Sequence, residues 1–136
     1  MTLFVDASAI VAMVGREPEA ATFARRLDRD DPHLSSPVAI WEATRAIARV
    51  RGVDYREARQ LVADFLKEAG IDVITIGPVE GELAHDAHAS FGKGRHPAAL
   101  NLGDCFAYGC AKSLGASILF KGDDFAQTDL TDGTLE

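Results

Sequence analysis

Four short apolar segments alternate with helical segments along this chain, and that alternation restricts the fold more than any other feature of the sequence. The apolar segments span residues 2–5, 33–36, 71–76 and 116–120, of which 33–36 is a weak strand or a turn. The segments between them carry apolar residues at helical spacing. Because strand–helix–strand units connect parallel strands by right-handed crossovers, we expect an α/β sandwich with a mainly parallel sheet.

Capping residues locate the ends of the longest predicted helices. Ser36 followed by Pro37 favours a helix start, and Gly52 favours the end of that helix. Asp54 caps a second helix, which Gly70 terminates. The other helices are predicted over residues 7–14, 17–29, 78–91 and 103–114.

The composition is that of one ordinary domain over residues 1–136. With 47% apolar residues the chain can bury a core, and its longest apolar runs are too short to span a bilayer. The N-terminus lacks the basic region of a signal peptide, and Cys105 and Cys110 are expected to be buried thiols, so we expect a cytoplasmic location. The net charge of −7 excludes uniform attraction to nucleic acid. Contact with a polyanion then requires a local basic patch or a bridging cation.

Several carboxylates stand next to strongly apolar segments. Asp6 directly follows the first predicted strand, Asp123 and Asp124 follow the last, and Glu42 and Asp104 lie within apolar helical segments. In open parallel sheets, ligands bind at the carboxyl ends of the strands. Buried carboxylates are unfavourable unless they are neutralised, and a set of them repels itself. A divalent cation removes both penalties, and carboxylate ligands without cysteine or histidine favour Mg²⁺ or Mn²⁺.

Each of these acids also has a simpler interpretation. Asp6 or Ser8 is a candidate N-cap of the first helix, and Glu42 is a candidate ion-pair partner of Arg45 one turn away. Asp104 at a helix N-terminus is favoured by the helix dipole, and two acids after a strand are ordinary turn residues. The metal-site hypothesis therefore depends on the whole set of acids rather than on any one of them.

Four motifs together resemble those of the PIN-domain ribonucleases, and among them the VapC toxins of bacterial toxin–antitoxin modules. VDASAI at 5–10 resembles the family's first strand with its acid, and WEATRA at 41–46 resembles the helix that carries its glutamate. Trp41, which opens the second motif, is interpreted as a core residue rather than a base-stacking platform. The most specific matches are GKGRHPAALNLGDCFAYGCA at 92–111 and LFKGDDFAQTD at 119–129. The resemblance covers essentially the whole chain and implies a PIN-like three-layer sandwich.

The resemblance implies a Mg²⁺-dependent endoribonuclease, with Mn²⁺ as an alternative metal. The implied catalytic acids are Asp6, Glu42, Asp104 and Asp124, of which Asp6 and Asp104 are the principal metal ligands. Ser8 is expected to hydrogen-bond a ligand carboxylate. Whether Asp123 or Asp124 supplies the fourth acid stays open, because the two are adjacent in the closing motif.

A basic loop precedes the third acid of this negatively charged chain. Lys93, Arg95 and His96 are expected to bind the RNA phosphates that flank the cleaved bond. The alternative is a solvated loop that only connects two helices.

The resemblance also implies partners. We expect an RNA substrate, such as tRNA or another structured RNA, and a cognate antitoxin protein that blocks the enzyme. A homodimer and a toxin–antitoxin hetero-oligomer are expected, with promoter DNA bound only through the antitoxin and no contact with a membrane.

Two other functions compete with this one. A receiver-like phosphoaspartate signalling domain also gathers acids at strand ends, and Lys121 after the last strand fits it, but the strand over 71–76 ends without an acid. A catalytically inactive PIN-like binding module is the second alternative. All four acidic positions of the family are occupied here, which argues against it.

Overall fold

A four-stranded parallel sheet forms the centre of the computed structural model, which describes residues 2–135. The strands are β1 (Leu3–Val5), β2 (His33–Ser35), β3 (Ile71–Val73) and β4 (Ser117–Leu119), and they pair in the order β3-β2-β1-β4. Each of the three pairings is parallel. The helices are α1 (Ala7–Val14), α2 (Ala20–Leu27), α3 (Pro37–Arg51), α4 (Tyr55–Ala69), α5 (Pro78–Phe91) and α6 (Leu102–Leu114). None of them, within the described residues, is long and apolar enough to cross a membrane.

Side chains of β1 alternate between the two faces of the sheet, and each face carries its own apolar core. Phe4 packs with residues of α5 and α6, whereas Leu3 and Val5 pack on the opposite face with residues of α1, α2 and α4. Cys105 and Cys110 are buried free thiols of the first core, as predicted. The layers are therefore helix, sheet and helix, which confirms the predicted three-layer sandwich.

The predicted capping residues start and end the helices as the sequence indicates. Ser36 Oγ accepts a hydrogen bond from the amide of Ala39 at 3.1 Å, and Asp54 Oδ1 accepts one from the amide of Glu57 at 2.9 Å. Gly52, which follows α3, has a φ of 64°, in the left-handed region that glycine adopts without strain. Local chemistry alone thus determines the boundaries of α3 and α4.

The strand predicted over 71–76 is shorter in the structure and ends at Val73. Its neighbour in the sheet is β2, which ends at Ser35 because Ser36 already caps α3. The amide of Ile74 still donates to the carbonyl of Ser35 at 2.9 Å, and beyond that point β2 offers no further partner. The length of β3 is therefore set by its neighbour rather than by its own β-branched composition.

The helix predicted over 17–29 begins only at Ala20. The two acids before it bind a distant lysine, since Lys121 Nζ lies 2.6 Å from Glu17 Oε1 and 3.4 Å from Glu19 Oε1. Because Lys121 follows β4, these ion pairs tie the start of α2 to the carboxyl end of the sheet.

The acidic tail after Asp124 covers the outer edge of β4, a role that the sequence did not indicate. The amide of Ile118 donates to the carbonyl of Thr131 at 3.0 Å, and short 3₁₀ turns form at Phe125–Gln127 and Gly133–Leu135. An uncovered strand edge invites pairing with another chain, so this tail shields the sheet on that side.

Arg26 on α2 fastens this tail and is only 4% exposed. Its Nε donates to the carbonyl of Gly133 at 2.8 Å, and its Nη1 and Nη2 donate to the two carboxylate oxygens of Asp31 at 3.1 and 2.8 Å. His33 Nε2 lies 2.8 Å from Asp31 Oδ1. The hydrogen bonds from Arg26 lower the pKa of Asp31 to about 2, so the pair stays ionised at neutral pH.

Arg26→Ala is expected to lower the free energy of unfolding by about 3–5 kcal/mol, because it leaves a largely buried carboxylate without its ionic partner. Arg25→Ala removes the neighbouring exposed arginine and is the matched control, with an expected change of less than about 0.5 kcal/mol. Urea unfolding followed by circular dichroism measures both. Equal losses in the two variants would contradict the anchoring role of Arg26.

Candidate active site

Asp6 stands at the carboxyl end of β1 and is 4% exposed. Its amide donates to the carbonyl of Leu119 in β4 at 3.0 Å, so the sheet fixes its backbone. The amide and the Oγ of Ser8 both donate to Asp6 Oδ2, at 3.1 and 2.6 Å. Asp6 is therefore the N-cap of α1, and it lines a cavity in this capping position.

Ser8 links Asp6 to the segment that follows β4. The amide of Lys121 donates to Ser8 Oγ at 2.9 Å, and Ser8 Oγ in turn donates to Asp6. The expected hydrogen bond between Ser8 and an acidic candidate ligand is thus present. This chain of bonds orients the Asp6 carboxylate without neutralising it.

Asp104 lies in the first turn of α6 and takes part in a reciprocal cap. Its amide donates to Asn101 Oδ1 at 2.9 Å, and the amide of Asn101 donates to Asp104 Oδ2 at 3.1 Å. The helix-terminus role considered for Asp104 is therefore real, and it coexists with a position beside the other acids. Asn101 was missed in the sequence, although its spacing of three residues before an acid is that of a capping box.

Glu42 projects from α3 towards the first turn of α6 and packs directly on Gly103. A Cβ atom at position 103 would overlap both carboxylate oxygens of Glu42. The ion pair with Arg45 that the sequence offered as an alternative does not form, and the Arg45 guanidinium lies over the Trp41 ring instead, 4.8 Å from its centroid. The absence of a side chain at Gly103 is thus what lets the carboxylate approach α6. Nothing in the sequence alone marks Gly103 as a site residue.

Burial and the charges of neighbouring acids raise the pKa values of three of the predicted site residues. Burial raises the pKa of Asp6, with a contribution from Asp124, and burial followed by the charge of Asp6 raises the pKa of Glu42. Burial raises the pKa of Asp104 to about 7, and the charges of Asp6, Asp124 and Glu42 add to that effect. Asp123 and Asp124 are both exposed and neither lines the cavity, but the charge of Asp124 acts on Asp6 and Asp104, whereas that of Asp123 acts on none of these groups.

Three cations line the same cavity of about 600 Å³, namely Arg45, Arg49 and Lys121. Lys121 is occupied by its ion pairs with the two acids before α2. The two arginines were not identified as site residues in the sequence. Their spacing of three and seven residues from Glu42 was the available signal, because it places them on the same face of α3.

No ion pair within the described residues stabilises the charged form of these acids. Within residues 2–135, no salt bridge joins Asp6, Glu42, Asp104 or Asp124 to a cation. In the same part of the chain, no three His, Cys, Asp or Glu side chains are grouped closely enough to form a ready-made metal cage. Mg²⁺ does not require one, because it is usually held by one or two carboxylates and keeps several waters. The uncompensated oxygen donors therefore fit Mg²⁺ or Mn²⁺.

The basic loop lies beside this cavity rather than in its wall. Lys93 lines a separate apolar cavity next to Leu102, and none of Lys93, Arg95 and His96 lines the carboxylate cavity. His96 is held locally, since its Nδ1 accepts from the amide of Ala98 at 3.0 Å. Phosphate binding by these three side chains stays a prediction.

Trp41 is 55% exposed, so its interpretation as a core residue is wrong. The buried face of α3 carries Ala39, Ala43 and Ile47. Trp41 is two residues from both alanines, which puts it on the opposite side of the helix. The hydrophobicity of Trp41 favoured the core, but its position around the axis of α3 relative to the buried residues places it at the surface.

Comparison with known proteins identifies the relatives of this chain. The family model of the PIN domain matches residues 3–130. A VapC ribonuclease of Rhizobium meliloti (strain 1021) is 42% identical over 139 residues, which cover 93% of this chain and 98% of the relative. Ribonuclease VapC30 of Mycobacterium tuberculosis is 37% identical over 128 residues, which cover 94% of this chain and 95% of the relative.

A solved structure shares the fold. The crystal structure of Mycobacterium tuberculosis VapC20, a toxin that cleaves the sarcin–ricin loop, superimposes with a TM-score of 0.76. The superposition covers 96% of this chain and 97% of that protein at 16% sequence identity. At this identity the likeness concerns the fold alone.

The raised pKa of Asp104 predicts that the metal-free protein loses stability as the pH rises. In the unfolded chain this group ionises near 3.8, and in the folded protein it ionises at about 7. The folded state therefore binds the extra proton, and the free energy of unfolding falls with rising pH until about 7. Asp104→Asn removes this loss. A shift of about three pKa units corresponds to about 4 kcal/mol, and solvent screening at this partly exposed side chain reduces that value, so we expect a gain on the order of 2 kcal/mol at pH 8 and almost none at pH 4.

Urea unfolding in EDTA at the two pH values measures this effect. Asp72→Asn, at an exposed position of β3, is the matched control and is expected to give no gain. An Asp104→Asn variant that is less stable than the wild type at pH 8 would mean that the acids do not destabilise one another.

Proposed function

Because the chain belongs to the PIN-domain family, and within it to the VapC ribonucleases, we propose that it is a metal-dependent endoribonuclease that acts as the toxin of a toxin–antitoxin module. The observation that carries the proposal is that Asp6, Glu42 and Asp104 line one cavity and that no salt bridge within residues 2–135 pairs them with a cation. We take residues 1–136 to form a single PIN-like domain. The match of the PIN-domain model to residues 3–130 argues against the receiver-like alternative.

Asp6 and Asp104 are the proposed ligands of Mg²⁺, or of Mn²⁺ in its place. Two carboxylates of this kind are the usual protein share of a magnesium site. When bound, the cation neutralises charge on the scissile phosphate and lowers the pKa of the attacking water. The bonds from Ser8 to Asp6 and from Asn101 to Asp104 preset the two carboxylates.

Glu42 and Asp124 complete the acidic pocket. The raised pKa of Glu42 makes its carboxylate a better proton acceptor, so we assign it the proton of the attacking water. In-line attack of the water oxygen on phosphorus then breaks the P–O3′ bond, and the departing 3′-oxygen takes a proton from solvent, which leaves a 3′-hydroxyl and a 5′-phosphate. Asp124 is preferred over Asp123 as the fourth acid, because its charge acts on both Asp6 and Asp104.

RNA phosphates on either side of the cut require cations near this acidic pocket. We propose that Lys93, Arg95 and His96 contact these phosphates from the loop before α6, where the amide of Lys93 is bonded to the carbonyl of Leu100 at 3.0 Å. The proposed substrate is tRNA or another structured RNA.

The proposed partners follow from the family. We propose a cognate antitoxin that blocks the site, a homodimer of this chain, and a toxin–antitoxin hetero-oligomer that contacts promoter DNA through the antitoxin. The proposed location is the cytoplasm.

Asp6→Asn is expected to reduce RNA cleavage by on the order of 10³-fold, because a metal ligand supplies several kcal/mol of charge stabilisation in the transition state. Asp124→Asn is expected to cause a large loss as well, whereas Asp123→Asn keeps most of the activity and serves as the matched neighbour. The assay follows cleavage of structured RNA by protein purified free of other nucleases, with circular dichroism as the check on folding.

Wild-type cleavage by Asp6→Asn would refute the site. A wild-type protein that takes up Mn²⁺ in calorimetry but cuts no RNA would instead indicate an inactive binding module. Equal losses in the variants at 123 and 124 would mean that the two acids share the fourth position.

Gly103→Ala is expected to reduce cleavage by about 10- to 100-fold, the range for changes that disturb the support of a metal site. The added methyl group displaces the Glu42 carboxylate, which is the flexible end of a side chain, so the free energy of unfolding changes little. Gly81→Ala is the matched control, because a Cβ atom at this position of α5 meets no neighbour within 4 Å. Steady-state kinetics and thermal unfolding of both variants test the expectation, and it fails if Gly103→Ala unfolds the protein or cuts RNA normally.

A further inference from the structure

Trp41 is the single tryptophan of the chain and stands exposed between two concave surfaces. It lines the carboxylate cavity, and it also lines an adjacent apolar groove of about 550 Å³. The apolar walls of this groove include Pro37, Val38 and Leu102, of which Leu102 is 72% exposed. Glu42 borders both spaces, so the groove opens directly beside the acids.

Two arginines continue from Trp41 along the same face of α3. Trp41, Arg45 and Arg49 follow one another at intervals of four residues, which aligns their side chains. The Arg45 guanidinium carbon lies 4.8 Å from the centroid of the Trp41 ring, a cation–π contact. Neither arginine forms a salt bridge within residues 2–135, and both line the carboxylate cavity but not the groove.

We propose that Trp41 and the apolar groove form a nucleobase-binding subsite, in which an unstacked base of the RNA lies against the indole while Arg45 and Arg49 hold the adjacent phosphates. This inference rests on the proposed ribonuclease function. It defines the substrate class as RNA with a base free to leave its stack, as in a loop or single strand. Every base has an aromatic face, so the subsite selects for strand flexibility more than for sequence.

The neighbourhood of the groove favours RNA over a protein partner. When an RNA phosphate lies at the acids, the base of the adjacent nucleotide lies close to them as well. The groove is near enough to receive that base, because Glu42 lines both the groove and the carboxylate cavity. The arginines beside the ring complement a phosphate backbone. A buried protein contact would leave these two arginines facing an acidic cavity without a phosphate to bind. A second copy of this chain or an antitoxin in the groove is the alternative that the experiment separates.

The subsite is tested by comparing two proteins on RNA with and without the base that would occupy it. RNA oligonucleotides that carry an abasic residue at each position next to the mapped cut are compared with the intact RNA, for wild type and for Trp41→Ala. Removal of the contacting base is expected to lower kcat/KM of the wild type by about 10- to 100-fold, the loss of one base–aromatic stack. Trp41→Ala is expected to lose the same factor on intact RNA and to be insensitive to the abasic residue.

Matched variants separate stacking from a structural role. Trp41→Phe keeps an aromatic face and is expected to recover most of the activity. Tyr55→Ala removes an exposed aromatic side chain of α4 outside both spaces and is expected to match the wild type. The logarithm of the RNA-binding constant falls with the logarithm of the salt concentration, and Arg49→Ala is expected to make this slope less steep by about one. Arg59→Ala on α4 is expected to leave the slope unchanged.

Binding is also read without catalysis, because Trp41 is the chain's single tryptophan. Intact RNA is expected to quench its fluorescence more than the abasic RNA does. Wild-type kinetics in Trp41→Ala, or equal losses on both RNAs, would overturn the subsite. Equal losses together with a change in oligomeric state would assign the groove to a protein contact. Absence of cleavage by the wild type on every RNA would refute the proposed function itself, and the inference with it.

Discussion

The constraint on which this structure depends is a set of neighbouring acids that no salt bridge within residues 2–135 pairs with a cation. Asp6, Glu42, Asp104 and Asp124 come from four separate parts of the chain, and burial together with mutual repulsion raises the pKa of the first three. Such an arrangement opposes folding, so other interactions have to hold it. The two apolar cores, one on each face of a fully buried β1, supply that stability. If the proposed function is correct, the same repulsion becomes affinity for a divalent cation, since a cation held by Asp6 and Asp104 offsets two of the charges and lowers the repulsion from the others.

Hydrogen bonds at helix N-termini, rather than ion pairs, position two of the acids. The amide and hydroxyl of Ser8 orient the carboxylate of Asp6, and the amide of Asn101 orients that of Asp104. Glu42 reaches the first turn of α6 because Gly103 has no side chain. Helix dipoles favour negative charge at these termini, which partly offsets the repulsion. The acids are thus fixed by elements that are needed for the fold in any case, and the atoms that a Cβ at position 103 would meet belong to Glu42 and not to the apolar cores.

Features that depend on local chemistry could be predicted from the sequence, and features that depend on distant neighbours could not. Ser36, Asp54 and Gly52 specify helix ends through their own hydrogen bonds or dihedral angles, and the structure has those ends. The end of β3 depends on where β2 stops, which β3 itself does not encode. The exposure of Trp41 likewise depends on distant neighbours, because the apolar cores determine which side of α3 is buried and Trp41 lies on the other side. The motif resemblance proposed the four acids together. Helical spacing on α3 could have pointed to Arg45 and Arg49, whereas the role of Gly103 depends on the packing of α6 against Glu42.

An overall charge of −7 raises the question of how such a chain binds a polyanion at all. Salt screens charges beyond about 8 Å at physiological ionic strength, so an RNA phosphate responds mainly to groups within one or two side-chain lengths. Arg45 and Arg49 line the same cavity as three of the acids, and neither forms a salt bridge with a carboxylate in the described part of the chain. The distant surface acids then act mostly as a weak repulsion that suppresses non-specific binding. If the proposed function is correct, affinity for RNA is concentrated at the cavity, because two arginines, an exposed aromatic ring and the proposed metal ligands occur together there.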